Sequence, residues 1–180
     1  TINTKNTTLV LTNWNSIHQL YYGKTLANPK DLQTVGGHKP EAYSVRGGWN
    51  HSGGLGVVHP DGNTSLDLKF QSSTVKTISK GVKHYTFELK DTHYPFRVKL
   101  HYRAFHDSDV IETWCDFIND DPKSAVKLDR FDSVAMGMQS PAKAYHLDHY
   151  VSNWGSEFQL QREPLGYGTK TIQNRAGVRG

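Results

Sequence analysis

Cysteine and long apolar runs are scarce in this sequence. Cys115 is the single cysteine, so an intrachain disulfide is excluded. No apolar run approaches the ~18 residues of a membrane-spanning helix, and the mean hydropathy is −0.64. The first residues, TINTKNTTLVL, have neither a charged region nor a long apolar core, so we expect any signal peptide to have been removed or never to have existed. We therefore expect no membrane association.

A concentrated positive charge is also lacking, although the chain is basic. The net charge is +4, from 21 basic and 17 acidic residues, and the pI is about 9.1. The basic residues are scattered and often alternate with apolar ones, as in RVKLHYR (97–103), where we expect them to form the solvated face of a strand. Because neither a basic cluster nor an RNA-binding signature accompanies them, we expect no nucleic-acid partner.

A sustained helical period is missing, whereas period-two alternation recurs along the chain. The alternation predicts strands at 84–91, 96–104, 110–119, 125–131 and 144–151. Turn sequences such as HPDGN (59–63) separate these runs. The sequence therefore predicts an all-β domain of roughly a dozen strands in two packed antiparallel sheets, with at most a turn or two of helix. A chain of 180 residues suits one domain, or one piece of a larger protein.

Histidine is plentiful, with ten residues, so chance pairs are expected. His146 and His149, with Asp148 between them, have the spacing of a metal motif at first sight. Residues three apart on a regular strand point to opposite faces, so both imidazoles can bind one ion only if a bulge intervenes. We predict exposed strand histidines here. The same caution against reading a metal site applies to His101 and His106. The sequence indicates neither a metal site nor a cofactor.

Paired catalytic carboxylates are not evident either. Glycoside hydrolysis needs two carboxyl groups roughly 5–10 Å apart. Asp107, Asp109 and Glu112 cluster at a turn and a strand start, and Asp120 and Asp121 occupy another turn, so structural roles explain them. A G-x-S-x-G motif, a P-loop and a Cys/His dyad are also absent. We therefore predict that this chain carries no catalytic residue.

The four tryptophans have different sequence surroundings. Trp114 alternates within a predicted strand and is expected in the core, and Trp14 is expected to cap the core edge. Trp49 and Trp154 both lie beside glycine and outside clean alternation. For both of them, domain packing is one interpretation and contact with a carbohydrate is the other.

Trp49 is the stronger candidate for a carbohydrate contact. It lies in SVRGGWNHSGG (44–54), a glycine-rich stretch in which an ordinary core position is not expected. The face of a loop tryptophan can stack on the apolar side of a pyranose while polar neighbours bind hydroxyls. Arg46, Asn50 and His51 can supply those hydrogen bonds, so we predict Trp49, Asn50, His51 and Arg46 as substrate-binding residues.

Four segments in order carry a resemblance that spans almost the whole chain. They are TKNTTLVL with IHQLYYGKTL, then HPDGNTSLDLKFQSSTVK, then LHYRAFHDSDVIETWCDFIND, and finally VSNWGSEFQLQREPLGYGTKTIQNRAGVRG. They resemble the N-terminal domain of glycoside hydrolase family 36, the α-galactosidases and their relatives. The corresponding family features are an LYYGK-type strand, a DG-x-x-x-x-(D/E)L segment, a strand pair containing VI, and a G-x-W-x-x-E segment.

The resemblance implies a β-supersandwich and a single N-terminal domain over residues 1–180. It further implies a catalytic (β/α)8 barrel downstream, outside this chain, that carries both catalytic aspartates. The parent would be a retaining α-galactosidase that hydrolyses terminal α-D-galactosides and forms a homo-oligomer. Raffinose synthases and α-N-acetylgalactosaminidases of the same family are not distinguished by this domain.

The resemblance also implies a role for the glycine-rich stretch. Family members often carry G-x-G-D-(F/Y)-R in a loop that reaches the galactose pocket of the barrel, sometimes in a neighbouring subunit. Here Gly47 and Gly48 match the glycines, and Trp49 or Asn50 stands in place of the aspartate. His51 falls near the family arginine. Trp49 is therefore the expected sugar contact, while Trp154 and Glu157 in the fourth segment are expected to be structural or interface residues.

Two alternatives belong to other function classes. A free-standing sugar-binding module would bind galactose or an oligosaccharide without a barrel. A mutarotase-like enzyme would share the supersandwich fold and would need a histidine acid and a glutamate base converging on the anomeric oxygens. His149 is the candidate acid, but no glutamate is convincingly placed beside it in the sequence.

Overall fold

The structure is a computed structural model that describes residues 1–34, 41–43, 54–137, 145–166 and 168–173. The chain divides into two compact units, unit 1 over Thr1–Met138 and unit 2 over Gln139–Gly180, and each is described by itself. Strands make up 59% of the structure and helix 3%. None of the helices in the described residues is long and apolar enough to cross a membrane.

Eleven strands run through the described residues, and their bounds are as follows. They are β1 (Ile2–Asn3), β2 (Thr7–Trp14), β3 (Ser16–Lys24), β4 (Leu55–Val58), β5 (Leu68–Ser79), β6 (Val82–Asp91), β7 (Phe96–Phe105), β8 (Val110–Asn119), β9 (Lys127–Phe131), β10 (His146–Asn153) and β11 (Ser156–Pro164). A short 3-10 helix over Pro29–Thr34 follows β3.

In the described part of unit 1 the strands form three antiparallel sheets. Their orders are β1-β2-β3, β4-β9 and β5-β6-β7-β8. Tight connections join β5 through β8 in sequence, so this sheet is a simple meander whose register is set by the turns. The β4–β9 pair joins parts of the chain that are far apart in sequence.

Alternation along β6, β7 and β8 places one set of side chains on the core side of the meander. Cross-strand pairing puts Phe87 opposite Leu100 and Leu100 opposite Cys115. Because β7 is paired on both sides, its inward residues lie at the centre of the sheet. Val98 is completely buried, and Leu100 is 2% exposed.

One hydrophobic core in unit 1 collects side chains from all three sheets. Its buried members are Ile2, Leu9, Ile17, Ala42, Tyr43, Leu55, Val57, Leu66, Leu68, Leu89, Phe96, Val98, Leu100, Tyr102 and Ala104. The sheets therefore pack against one another through apolar faces, which is the arrangement that period-two alternation produces.

Asp109 ties the start of the chain to the β7–β8 turn. Its carboxylate accepts hydrogen bonds from the Asn6 backbone amide at 2.6 Å, from the Asn6 side-chain amide at 2.5 Å and from the Thr4 hydroxyl at 2.7 Å. These bonds, the Asn6 backbone amide foremost, hold the pKa of Asp109 below its usual range. The residue has a φ of 57°, a left-handed conformation that aspartate tolerates better than most residues. The predicted structural role of Asp109 is confirmed.

Unit 2 contains the β10–β11 hairpin. Gly155, with a φ of 74°, forms the turn beside Trp154, whose side chain is 97% exposed. Asp148 and Arg162 face each other across the strands and form a two-pronged ion pair with distances of 2.7 and 2.6 Å. The bulge of this hairpin lies between Val151 and Asn153.

The prediction of an all-β fold with antiparallel sheets and hardly any helix is confirmed. The five predicted strands correspond to β6 through β10, and the bounds of 110–119 match β8 at both ends. Alternation predicted β6, β7 and β8 because one face of each packs on the core, whereas β9 is exposed at every residue.

Two expectations about tryptophan are wrong. Trp114 lies opposite His101 on the face of the meander that points away from the core, while Ile111, Cys115 and Phe117 take the inward positions. Trp14 does not cap the core edge, because it stands at the β2–β3 turn with 73% of its side chain exposed. Apolar character alone does not decide which face of a strand a tryptophan occupies.

Leu89 provides a test of the core assignment. It is 1% exposed, so Leu89→Ala should leave a cavity and lower the free energy of unfolding by about 2–5 kcal/mol. Val75, on β5 and 59% exposed, is the matched control, and Val75→Ala should change the free energy by about 1 kcal/mol or less. Urea unfolding followed by tryptophan fluorescence measures both. Equal effects of the two substitutions would contradict the core assignment.

Candidate functional site

The four predicted substrate-binding residues lie outside the described residues. Arg46, Trp49, Asn50 and His51 all fall within 44–53, together with Gly47 and Gly48. Their predicted roles therefore stay predictions. The residues on either side of this segment are described, and they show where it joins the fold.

Both flanks of the 44–53 segment are fixed to the backbone of Asp132. On one side, Tyr43 is 2% exposed and its hydroxyl donates to the Asp132 carbonyl at 3.0 Å. On the other side, the Asp132 amide donates to the Gly54 carbonyl at 2.8 Å, directly before β4. The segment therefore leaves and rejoins unit 1 at one anchored place beside the end of β9.

The Tyr43 phenol and the neighbouring Cys115 thiol are both uncharged at neutral pH. Burial is the main cause that raises the pKa of the Tyr43 phenol, and it also raises the pKa of the Cys115 thiol to about 11. A thiol with so high a pKa carries little thiolate at neutral pH, and thiolate is the nucleophilic form. Cys115 is therefore a packing residue beside Tyr43 rather than a reactive group.

A cleft of about 260 Å³ opens beside the β2–β3 turn. We call it the Trp14 cleft, and it is lined by Trp14, Asn15, Ser16, His18, Glu41, Asp67, Leu68 and Lys69. The His18 ring lies 6.0 Å from the Trp14 ring, and its Nε2 donates to the Trp14 carbonyl at 3.1 Å. The Lys69 ammonium and the Asp67 carboxylate are 3.0 Å apart. The exposed ring of Trp14 therefore lies beside hydrogen-bond acceptors, the carboxylates of Glu41 and Asp67, and a donor, the ammonium of Lys69.

A second pocket, of about 190 Å³, lies beside the HPDGN turn. His59 is 2% exposed, stacks on Tyr94 with ring centroids 3.5 Å apart, and donates from Nε2 to the Ser65 carbonyl at 3.0 Å. The Tyr94 hydroxyl donates to Asp61 at 2.8 Å. The Nδ1 atom of His59 is buried and has no hydrogen-bond partner among the described residues. These contacts lock the turn and leave no ring nitrogen of His59 accessible to a substrate.

A cluster of polar and aromatic side chains covers the outward face of the meander. We call it the histidine face, and it comprises His84, Thr86, His101, Arg103, Trp114 and Asp116. His101 stacks on Trp114 with centroids 4.7 Å apart and planes 5° from parallel. The Arg103 guanidinium lies 5.0 Å from the Trp114 ring, a cation–π geometry. The solvated face expected for 97–103 is therefore only partly solvated, since His101 is 8% exposed.

One hydrogen bond links the two histidines of this face. His84 Nε2 and His101 Nδ1 are 2.9 Å apart, so one nitrogen donates and the other accepts. His101 Nε2 lies 3.0 Å from the Asp116 carboxylate and donates to it. Burial first, and then the charges of His101, Arg103 and Lys76, lower the pKa of His84, while Asp116 opposes them.

The two histidines of β10 do not converge on one site. His146 and His149 lie on the part of β10 before its bulge, so the register places them on opposite faces. His149 Nε2 is 4.0 Å from a Glu163 oxygen, and Glu163 also pairs with Lys170. No group of three or more histidine, cysteine or acidic residues within the described ranges is placed to hold a metal ion.

Two of the acidic residues at the turns serve as partners of arginines. Asp120 forms a two-pronged pair with Arg97 at 2.6 Å for both contacts, and this pairing lowers the pKa of Asp120. Glu112 lies 3.1 Å from Arg103. These contacts support the structural roles expected for Asp120 and Glu112.

A family model decides the relationship that the four sequence segments suggest. The model of the glycosyl hydrolase family 36 N-terminal domain matches residues 15–180. The chain belongs to this family. No curated protein matches the chain in sequence.

Solved structures with the same fold are α-galactosidases. A variant of the family 36 enzyme AgaA from Geobacillus stearothermophilus, in complex with raffinose, aligns with a TM-score of 0.83 at 17% identity over 98% of this chain and 29% of that one. AgaB from the same organism gives 0.80 at 19% identity, over 98% and 28%. The enzyme from Lactobacillus brevis gives 0.78 at 17% identity, over 92% and 27%. This family 36 domain thus spans less than a third of the length of each.

Sequence reasoning missed the Trp14 cleft and the histidine face. A signal for the cleft was present, because Trp14 lies between asparagines in NWN, a turn-forming context. A signal for the histidine face was present only in part. His84, His101 and Trp114 lie at outward positions of three strands. The register that brings them together cannot be predicted from the sequence of any single strand.

The lowered pKa of His84 predicts a pH dependence of stability. Because the unfolded chain takes up this proton at a higher pH than the folded one, the stabilisation is complete above the ordinary histidine pKa and is lost as the pH falls below it. His84→Asn should therefore reduce the loss of melting temperature between about pH 7.5 and 5.5. His106→Asn, at an exposed turn position, is the control. An unchanged pH profile in His84→Asn would contradict this prediction.

Proposed function

We propose that this chain is the non-catalytic N-terminal domain of a retaining α-galactosidase that hydrolyses terminal α-D-galactosides. The domain contributes the 44–53 segment to the sugar site and takes part in forming a homo-oligomer. The two carboxylates of the double displacement come from a catalytic barrel outside this chain.

The observation that carries the proposal is the family match over residues 15–180. It is supported by the solved family 36 enzymes, which are named α-galactosidases and of which this chain covers only 27% to 29%. Two variants of AgaA carry raffinose and stachyose in their crystals. These sugars define the substrate class that we propose for the parent of this chain.

The anchored flanks support a presenting role for the 44–53 segment. Tyr43 is buried in the core and Gly54 is held by the same backbone residue, Asp132. Fixing both ends keeps the segment beside the end of β9, and contacts of the core offset the entropy of closing the loop. We assign the sugar contact to Trp49, with Arg46, Asn50 and His51 as hydrogen-bonding neighbours.

The engaged carboxylates support the non-catalytic part of the proposal. Asp109, Asp120 and Asp148 each form two or more hydrogen bonds with neighbours in the chain, and the pKa of each is lowered by those bonds. A general acid of a glycosidase needs a raised pKa instead. The described acidic residues with shifted pKa values therefore suit structural roles.

Hydrolysis of a nitrophenyl α-galactoside tests the proposal. The 180-residue chain should fold and show no turnover, whereas the same chain joined to its downstream coding sequence should release nitrophenol. Clear turnover by the pure 180-residue chain would overturn the assignment. A downstream sequence that encodes no barrel with paired aspartates would overturn it as well.

The role of Trp49 is tested in the full-length enzyme. Trp49→Ala should lower kcat/KM by about tenfold or more, since loss of an apolar contact with the sugar costs on that order. Val75→Ala, which shortens a side chain that is 59% exposed on β5, is the control and should leave kcat/KM unchanged. Equal activity of Trp49→Ala and the parent enzyme would exclude a sugar contact by Trp49.

A further inference from the structure

Trp14 is a large aromatic side chain that does not pack into the core of unit 1. Asn15 alone separates β2 from β3 and has a φ of 63°, a conformation that asparagine adopts more readily than most residues. The Asn15 carbonyl accepts a hydrogen bond from the Phe70 amide at 2.8 Å, which fixes the turn to β5. Trp14 is 73% exposed at this fixed turn, so its exposure is built into the backbone.

The surroundings of Trp14 form a concave site. Ser16 and Leu68 are buried and supply the floor of the Trp14 cleft, while His18 and Glu41 line it from the other side of β3, where the two residues form an isolated bridge. The volume of about 260 Å³ lies below the usual range of drug-sized pockets, roughly 300–1,000 Å³, and suits a ligand of one or two small rings.

The charges of the cleft oppose anionic ligands. Glu41 and Asp67 are both acidic, which opposes a phosphate or sulfate group, and the Lys69 ammonium is paired with Asp67 at 3.0 Å. Within the described residues the cleft is not part of a group that could hold a metal ion. Carboxylate, amide, imidazole and ammonium groups together offer acceptors and donors, the mixture that neutral hydroxyl groups require.

We propose that the Trp14 cleft is a saccharide-binding site, in which the apolar face of a neutral pyranose stacks on the indole of Trp14. The ring hydroxyls bind Glu41 and Asp67 as donors, and Lys69 and Asn15 as acceptors. An aromatic platform combined with a few convergent polar groups is the pattern of small-ligand sites in general. The site belongs to the domain itself and depends on neither Trp49 nor a catalytic barrel.

Binding at the Trp14 cleft would keep the other units of a longer glycan close to the protein. A saccharide unit held at Trp14 raises the local concentration of the remaining units near the protein, because the second contact becomes intramolecular. A weak site suffices for this effect. We expect dissociation constants of about millimolar strength for the isolated chain.

Indole NMR signals give a direct test. The chain has four tryptophans, so a ¹H–¹⁵N correlation spectrum of the 180-residue chain contains four indole signals, which Trp→Phe variants assign. Raffinose, maltotriose and cellotriose are added separately, to about 50 mM each. The Trp14 signal should shift saturably with at least one of these sugars. Sorbitol, which has hydroxyls but no pyranose face, should not shift it.

Two substitutions separate stacking from general effects. Trp14→Ala should weaken binding by about tenfold, as measured through the shifts of the backbone amides of β3 and β5 that border the cleft. Glu41→Gln, which keeps the size of the side chain, should weaken binding by several-fold. Trp154→Ala is the control, because it removes an exposed hairpin tryptophan from unit 2 and should leave affinity for the Trp14 cleft unchanged. Since Trp14 is largely exposed, its removal should preserve the dispersed spectrum of the folded chain.

The possible results are distinct. A saturable Trp14 shift that Trp154→Ala retains supports the site. Absence of a Trp14 shift with all three sugars, an equal shift with sorbitol, or a shift confined to the Trp49 signal overturns it. None of these outcomes affects the proposed role in an α-galactosidase, which is tested by hydrolysis in the full-length enzyme.

Discussion

Strand β7 makes hydrogen bonds to β6 and to β8, and its inward side chains are buried among residues of all three sheets of unit 1. Because β7 is paired on both sides, it fixes which alternate residues of β6 and β8 face the core. A shift of one residue in the register would exchange the two faces of the strand. The buried row from Phe96 to Ala104 thus determines which residues of β6 and β8 can reach the core. The histidine face follows from the same constraint, since its members occupy the alternate positions.

Alternation within single strands was enough to predict the fold class, but it was not enough to predict contacts between strands. The sequence of β8 matches its predicted bounds, yet Trp114 occupies the face away from the core. The apolar positions Ile111, Cys115 and Phe117 share one face, and Trp114 necessarily takes the other. The position of Trp114 in the alternation, and not its apolar character, therefore decides which face it occupies. Arg103 and His101 cover the indole on that outward face.

The candidate site was predictable to a different extent. The family relationship could be recognised from four ordered segments, and the family model confirms it. The Trp14 cleft could not be recognised, because it joins β2, β3, Glu41 and the start of β5. Its lining residues run from Trp14 to Lys69 in the sequence, and the hydrogen bond from the Phe70 amide to the Asn15 carbonyl helps to bring β5 to the turn. Chemistry assembled from several elements is visible in three dimensions and not in local sequence.

The shared attachment of Tyr43 and Gly54 to Asp132 has an evolutionary consequence. The stem of the 44–53 segment is closed by the core, so each doubling of the segment's length would cost only about 0.6 kcal/mol of closure entropy. The length between the two ends can therefore vary at little cost in closure entropy, while the same folded framework is kept.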